Sequence, residues 1–331
     1  MYHPQPKPWS RICALGASLA ILAALLGCER IEPTSARLQL GVGQVAVDDG
    51  LTEGEWPAWR GGAAHGVSPA KTLPLTWSRR QHVAWRHALA GRGNSSPVIW
   101  GDQIFLTGVV GQGHRAQLSL FSIDRLTGLQ RWQAKLGRPV GESHPKNGHA
   151  SATVATDGER VYAFFGAKGL FCFSSEGKRL WHRPLGELEH EWGLASSPVL
   201  VGDLVVQLCD SRPASSLVAL DKATGNEVWR TERDDGGCWT TPAVYQAVDS
   251  QDWQLIVNGT GASGQASGSI NAYSPWTGEL LWSVQGTSDI VCPTAIIGSG
   301  FAVCSSGPSA PVMSIEVPTT RGVQQQVTPK W

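Results

Sequence analysis

ALDKATGNEVW, residues 219–229, has three relatives in this chain: SIDRLTGLQRW (122–132), CFSSEGKRLW (172–181) and AYSPWTGELLW (272–282). In each, a glycine (Gly128, Gly177, Gly225, Gly278) stands four residues ahead of a tryptophan (Trp132, Trp181, Trp229, Trp282). The phrase reads as an alternating strand, a tight turn whose glycine takes positive φ, and a returning strand. Extended to Trp85 and Trp331, the tryptophans recur at intervals of 47, 49, 48, 53 and 49 residues.

A second phrase lies between them: NSSPVIWGDQIFLTG (94–108), HASATVATDGERVYAFFG (149–166), ASSPVLVGDLVVQLC (195–209), WTTPAVYQAV (239–248) and CPTAIIGSGFAVCSSG (292–307). Each has small polar residues followed by a strand, usually a turn, and another strand. Each period therefore holds four short strands and no amphipathic helix, which predicts all-β propeller blades, about five in number. A β-sandwich with coincidental tryptophan spacing is the alternative.

Composition agrees with a folded, neutral chain. The 331 residues carry 27 Lys+Arg and 27 Asp+Glu, so no basic excess points to nucleic acid. Glycine (39) and proline (20) together stay below the level of low-complexity disorder. Fifteen tryptophans against four tyrosines reflect the repeat.

Lys7 and Arg11 precede a fifteen-residue apolar run, Ile12–Leu26. This is too short to span a bilayer and reads as the core of a signal peptide. The run ends in Leu25-Leu26-Gly27-Cys28, which resembles a bacterial lipobox. The expectation is a lipoprotein signal peptide over 1–27, lipidation at Cys28, a flexible linker over 28–55 and a propeller domain over 56–331. Ordinary secretion, an uncleaved anchor or a core helix are the alternatives. Cleavage removes Lys7 and Arg11, leaving 25 basic and 27 acidic groups in a protein outside the cytoplasm. Cys172, Cys209, Cys238, Cys292 and Cys304 match no zinc spacing. Most are expected to be small buried hydrophobes, although the compartment permits disulfides.

The phrase A-x-D-x-x-T-G-x-x-x-W, met by Ala219, Asp221, Thr224, Gly225 and Trp229, resembles the tryptophan-docking motif of pyrroloquinoline-quinone (PQQ)-like β-propeller repeats. WPAWRG (56–61) and the stretch after it look like the opening of secreted propellers related to the propeller lipoprotein of the outer-membrane β-barrel assembly machinery. The resemblance covers about residues 55–331. It implies that each Trp packs between adjacent blades while Asp124, Thr127, Asp221, Thr224 and Thr277 satisfy turn backbone. The motif is structural and does not itself signal quinone binding. Ser274 replaces the motif acid in a later blade, and the second copy is one residue shorter. Relatives have seven or eight blades, so the chain is expected to be truncated at its C-terminus, with a closed five-bladed ring as the alternative. VAWRHALAG (83–91) is expected to be an outer strand whose own blade lacks partners.

Aligning the repeats places Asn94, His149, Ala195, Trp239 and Cys292 at the starts of innermost strands, ringing one channel mouth. Arg92, His144, Lys146, Asn147, Trp192 and Ser196 are expected on the same face. These are candidate binding residues, His149 foremost. The alternative is that they only cap a solvated channel. His144 and His149 have no carboxylate or Cys at ligand spacing on their loop, so no metal site is assigned. A quinone-dependent alcohol dehydrogenase would need a stacking Trp, a disulfide between adjacent cysteines and a Ca2+ site. The chain has no Cys-Cys pair and no recognisable general base. GTGASG (259–264) fits a dinucleotide fingerprint, but Gly/Ser-rich and strand-like residues follow it, so it reads as a hairpin loop. LEHEWG (188–193) lacks the second His of a zinc-protease helix, and no G-x-S-x-G elbow occurs.

The resulting expectation is a lipid-anchored scaffold in the cell envelope, at the outer membrane or its periplasmic face, holding a protein partner without catalytic residues or a cofactor. The alternatives are a PQQ-dependent oxidoreductase or its degenerate relative, and a small-ligand or carbohydrate-binding propeller.

Overall fold

The computed structural model describes residues 51–62, 66–212, 214–246, 252–261, 268–307, 312–318 and 325–326. The signal segment, Cys28 and Trp331 lie outside the described residues. Blade 1 comprises β1 (Val98–Trp100), β2 (Gln103–Val110), β3 (Gln117–Asp124) and β4 (Gln130–Lys135). Blade 2 comprises β5 (Ala155–Thr156), β6 (Arg160–Phe164), β7 (Leu170–Ser174) and β8 (Arg179–Arg183). Blade 3 has β9 (Val199–Val201), β10 (Leu204–Cys209), β11 (Ser215–Asp221) and β12 (Glu227–Arg233). Blade 4 has β13 (Ala243–Gln246), β14 (Trp253–Asn258), β15 (Gly268–Tyr273) and β16 (Leu280–Thr287). A three-stranded blade 5 follows with β17 (Ile296–Gly298), β18 (Phe301–Cys304) and β19 (Met313–Glu316). Finally, β20 (Gln325–Gln326) pairs in parallel with β16 as a fifth strand of blade 4.

Apart from β20, the strands of each blade run antiparallel in chain order. The only helical elements among the described residues are 3₁₀ turns at Gly113–Arg115 and Gly166–Lys168. No helix among them is long and apolar enough to cross a membrane. This is the β-propeller that the repeat spacing predicts.

The period-2 alternation of the strands explains how the blades stack. Along β10 (LVVQLC), Val205 and Cys209 pack with Tyr162, Phe164 and Trp181 of blade 2. Val206 and Leu208 point to the other face, onto Val244, Leu255 and Val257 of blade 4. Equivalent cores join blades 1 and 2 (Phe105 and Leu120 with Val161 and Phe171) and blades 4 and 5 (Ile256 and Trp282 with Ala302 and Ile315). A strand apolar on both faces is buried on both, as expected for central strands of a stack. The apolar area therefore lies between sheets and ties each blade to its neighbours.

Residues 83–89 join no ladder in the structure, as the expected lack of partners in their own blade implies. Just after them, Arg92 forms a bridge with Val109 of β2. The glycine run beginning at Gly259 joins β14 to the antiparallel β15, consistent with a hairpin. The five described cysteines are all free thiols; Cys172, Cys209, Cys238 and Cys304 are buried and Cys292 is exposed.

Candidate functional site

The recurring turns are docking sockets. In blade 3, Asp221 accepts hydrogen bonds from Thr224 N (2.7 Å) and Thr224 Oγ1 (2.7 Å). In blade 1, Asp124 accepts from Thr127 N and Oγ1 and from Arg131 Nε at 3.0 Å. These donors hold both carboxyls below the usual range, with Arg131 the main cause at Asp124 and Thr224 at Asp221. In blade 4, Ser274 keeps one such contact, accepting from Thr277 N at 3.3 Å. A register shift recurs in the outer strand pair of four blades at the residue just before Trp132, Trp181, Trp229 and Trp282.

Each tryptophan docks on the turn of the next blade. Trp85, Trp132, Trp181 and Trp229 donate Nε1–H to Arg125 O (2.8 Å), Ser175 O (2.9 Å), Lys222 O (3.2 Å) and Pro275 O (2.9 Å). The indole lies so close over the turn that a Cβ at Gly128, Gly177, Gly225 or Gly278 would come within 2.4–2.7 Å of it or of Thr231. Glycine is thus required twice, for positive φ and for the ring. Trp282 instead donates to Gln254 Oε1 within its own blade (2.8 Å).

A second ladder runs around the inner ends. Two residues before each innermost strand sits a hydroxyl that accepts the backbone N–H of its counterpart one blade earlier. The sequence is Ser96 N to Thr153 Oγ1 (2.9 Å), Thr153 N to Ser197 Oγ (3.0 Å), Ser197 N to Thr241 Oγ1 (3.0 Å) and Thr241 N to Thr294 Oγ1 (3.3 Å). Segment 56–62 lies against the same strands. Trp56 pairs through its backbone with Ile99 (2.8 and 2.9 Å), Pro57 O accepts Thr156 N (2.9 Å), and Trp59 Nε1 donates to Thr294 Oγ1 (3.2 Å). Pro57, Ala58 and Trp59 line a small cavity with Pro198, Val199 and Thr241. One short segment therefore meets the inner strands or their leading residues in all five blades. Sequence reading used WPAWRG only for its resemblance and missed this role.

This ladder fixes the register of the candidate ring. Asn94, Ala195, Trp239 and Cys292 each stand two residues before a ladder hydroxyl, but in blade 2 that position belongs to Ser151. His149 lies two residues earlier, so its placement as an equivalent of Asn94 is corrected. The other face residues form a continuous polar chain. Asn94 Nδ2 donates to Ser151 Oγ (3.5 Å), Ser151 Oγ to Asn147 Oδ1, and Asn147 Nδ2 to Trp192 O (2.6 Å). The His144 ring lies against Trp192 at 3.9 Å, tilted by 30°, and its Nδ1 accepts Lys146 N (3.2 Å). Trp192 N donates to His190 Nδ1 (3.2 Å), the His190 ring meets Trp239 edge-on at 4.8 Å, and Trp239 Nε1 donates to Gly193 O (2.8 Å). Burial pulls His190 below the usual histidine value, partly offset by Glu191. Trp192 remains 43% exposed at the top of this chain. Ser196 is buried with no partner for its hydroxyl among the described residues, while Arg92 and His149 line a separate groove.

A buried ionic cluster between blades 3 and 4 was not foreseen. Arg233 holds Asp210 through Nε (2.8 Å) and Nη2 (3.1 Å), reaches Asp235 through Nη2 (3.0 Å) and donates to Tyr273 Oη. Cys238 Sγ donates to Asp210 Oδ2 (3.0 Å), and Thr260 Oγ1 caps Asp235 at 2.5 Å. Asp210, Asp235 and Cys238 approach within 4.8 Å of one another, as metal ligands do, but the guanidinium already supplies the positive charge between the carboxylates. Burial, then Asp210, raises the Cys238 thiol well above its usual range, which disfavours the thiolate a metal would need.

The family profile described as outer membrane protein assembly factor BamB matches residues 75–212 and 190–329. BamB of Burkholderia pseudomallei (strain K96243) is 29% identical over 142 residues, covering 42% of this chain and 30% of that protein. A europium-containing methanol dehydrogenase superposes with a TM-score of 0.54 at 15% identity, over 80% of this chain and 55% of its own. Quinohemoprotein alcohol dehydrogenase ADHIIG from Pseudomonas putida HK5 gives 0.51 at 16%, over 81% and 45%. The chain thus spans only about half the length of these two enzymes, and at such identities the likeness is one of fold. The profile matches together run from residue 75 to residue 329, and the chain belongs to the family of the outer-membrane assembly factor BamB, the PQQ-like propeller repeat proteins.

Proposed function

We propose that this protein is a lipid-anchored scaffold of the cell envelope that holds a protein partner in outer-membrane assembly, tethered through Cys28. The observation that carries the reading is the state of the inner ends. Each ladder hydroxyl accepts a backbone N–H from the blade before it and Thr294 also accepts from Trp59, so the inner ends are satisfied, while the loop face carries a partly exposed Trp192. Partly exposed tryptophans on a polar, internally satisfied face are typical anchors of protein interfaces. A quinone-dependent oxidoreductase shares the fold, but likeness of fold does not bring chemistry with it.

The test is chemical cross-linking in native membranes, affinity capture through a C-terminal tag and mass spectrometry, in parallel for wild type and Cys28→Ser. Capture of outer-membrane assembly subunits, lost when Cys28→Ser releases the protein from the membrane, is expected. Recovery of the protein alone, or continued membrane association of Cys28→Ser, contradicts the scaffold or the anchor respectively.

A further inference from the structure

Arg92 and His149 stand apart from the polar chain because the backbone carries them elsewhere. Gly91 takes φ 122°, and a Cβ there would sit 2.4 Å from Val109 O; at Gly93 it would sit 2.6 Å from Thr107 O. The two glycines let the chain lie directly on β2, where Arg92 exchanges both backbone hydrogen bonds with Val109 (3.0 and 2.6 Å). Arg92 is thus the one side chain of Gly-Arg-Gly available to reach outward. Next to it, Asn94 N binds Ala150 O at 2.9 Å, which brings His149 alongside. After β4, Gly137 takes φ 87° and its carbonyl accepts Leu118 N (2.8 Å), placing Arg138 beside the same loop.

These three basic side chains line one groove of about 510 Å³, together with Gly111, Gln112 and Gly113. That is within the range of roughly 300–1,000 Å³ typical of small-ligand sites. The lining holds no carboxylate, and neither guanidinium has a side-chain partner among the described residues. Glu142 and Glu189 lie in a separate pocket on the other side of His149. Several guanidiniums elsewhere in the chain are paired with acids, as Arg131 with Asp124, Arg212 with Glu191, Arg230 with Glu227 and Arg233 with Asp210. Two unpaired guanidiniums at one concave surface are suited to a planar or tetrahedral oxyanion, which the guanidinium fork grips bidentately.

The geometry points to a binding site for a small anion bearing a carboxylate or phosphate group, gripped by Arg92 and Arg138 with the His149 ring as a third contact. Both arginines are exposed, so binding is of modest strength and weakens with added salt. The inference does not rest on the assembly reading, since it concerns a groove with its own ligand and its own readout.

The experiment is isothermal titration calorimetry of the purified full chain with citrate and, separately, inorganic phosphate at low ionic strength. Wild type is compared with Arg92→Gln/Arg138→Gln, Arg92→Lys and Arg179→Gln. Saturable binding that falls at least about tenfold in the double variant, less in Arg92→Lys, and not at all in Arg179→Gln is expected. Citrate binding without phosphate binding identifies a carboxylate site, and the converse a phosphate site. The arginines support no core, so unliganded melting temperatures should match wild type and confirm intact folds. Absence of saturable binding for both probes, or equal binding by the double variant, overturns the inference.

Discussion

Replacing Arg233 with methionine tests how blades 3 and 4 are joined. The Arg233 side chain is 2% exposed, and its partners Asp210 and Asp235 are 0% and 3% exposed, so water cannot take over its role. Methionine fills similar volume, but leaves two buried carboxylates facing each other beside the Cys238 thiol. Removing one partner of a buried ion pair typically costs about 3–5 kcal/mol. At about 2–4 °C per kcal/mol for a domain of this order of size, the melting temperature should fall by roughly 6–20 °C. Differential scanning fluorimetry measures it directly. Adding Asp210→Asn and Asp235→Asn to Arg233→Met removes the unpaired charges and should restore much of the loss. A decrease below about 1 kcal/mol, within the ordinary range of surface substitutions, would refute the reasoning, as would a triple variant no more stable than the single one.

Three further outcomes follow from the same contacts. Gly225→Ala meets both φ 69° and a Trp181 ring 2.6 Å from the new Cβ, whereas Gly101→Ala meets φ 54° and open space. Both lose about 1 kcal/mol from backbone strain, and only Gly225→Ala should lose clearly more in melting experiments. Trp59→Phe keeps a ring but loses the bond to Thr294 Oγ1, and should cost about 1 kcal/mol by denaturant titration; an unchanged midpoint would separate segment 56–62 from the stability of the inner ends. Asp235 has its carboxyl pushed up by burial and by Asp210, only partly countered by Arg233 and Thr260. The folded state therefore keeps that proton after the unfolded chain releases it, so this group's contribution is greatest below its unfolded pKa of about 3.9 and is lost as pH rises through the folded value. Asp235→Asn cannot ionise, so its melting temperature relative to wild type should improve from pH 4 upward, and a flat or falling difference would contradict the raised pKa.

The turns were legible because aspartate, threonine and glycine are neighbours in sequence and the phrase recurs in four copies, but the indole that docks on each comes from the preceding repeat, as Trp181 does on Gly225. Asp221 and Thr224, three positions apart, close a hydrogen-bonded turn, a local fact that needs no tertiary structure. The inner ladder was half visible, since Ser96, Ser197, Thr241 and Thr294 recur before each strand, but what they bond to lies one blade away. The same distance explains the misplacement of His149: blade 2 has two additional residues between that histidine and β5, and only the Thr153 bond reveals the register. Trp59 and its partner Thr294 are 235 residues apart. The Arg233 cluster draws Asp210, Asp235, Cys238 and Tyr273 from two blades, and each looks like an ordinary residue until the strands pack.

The most direct test of the scaffold reading is site-specific photo-cross-linking in native membranes, with a photoreactive amino acid at Trp192 on the loop face and, for comparison, at Val228 on the outer strand β12. The account predicts that Trp192 yields an adduct with a subunit of the outer-membrane assembly machinery and that Val228 does not. Adducts of equal yield at both positions, or none at Trp192 while the protein remains membrane-bound, would contradict it.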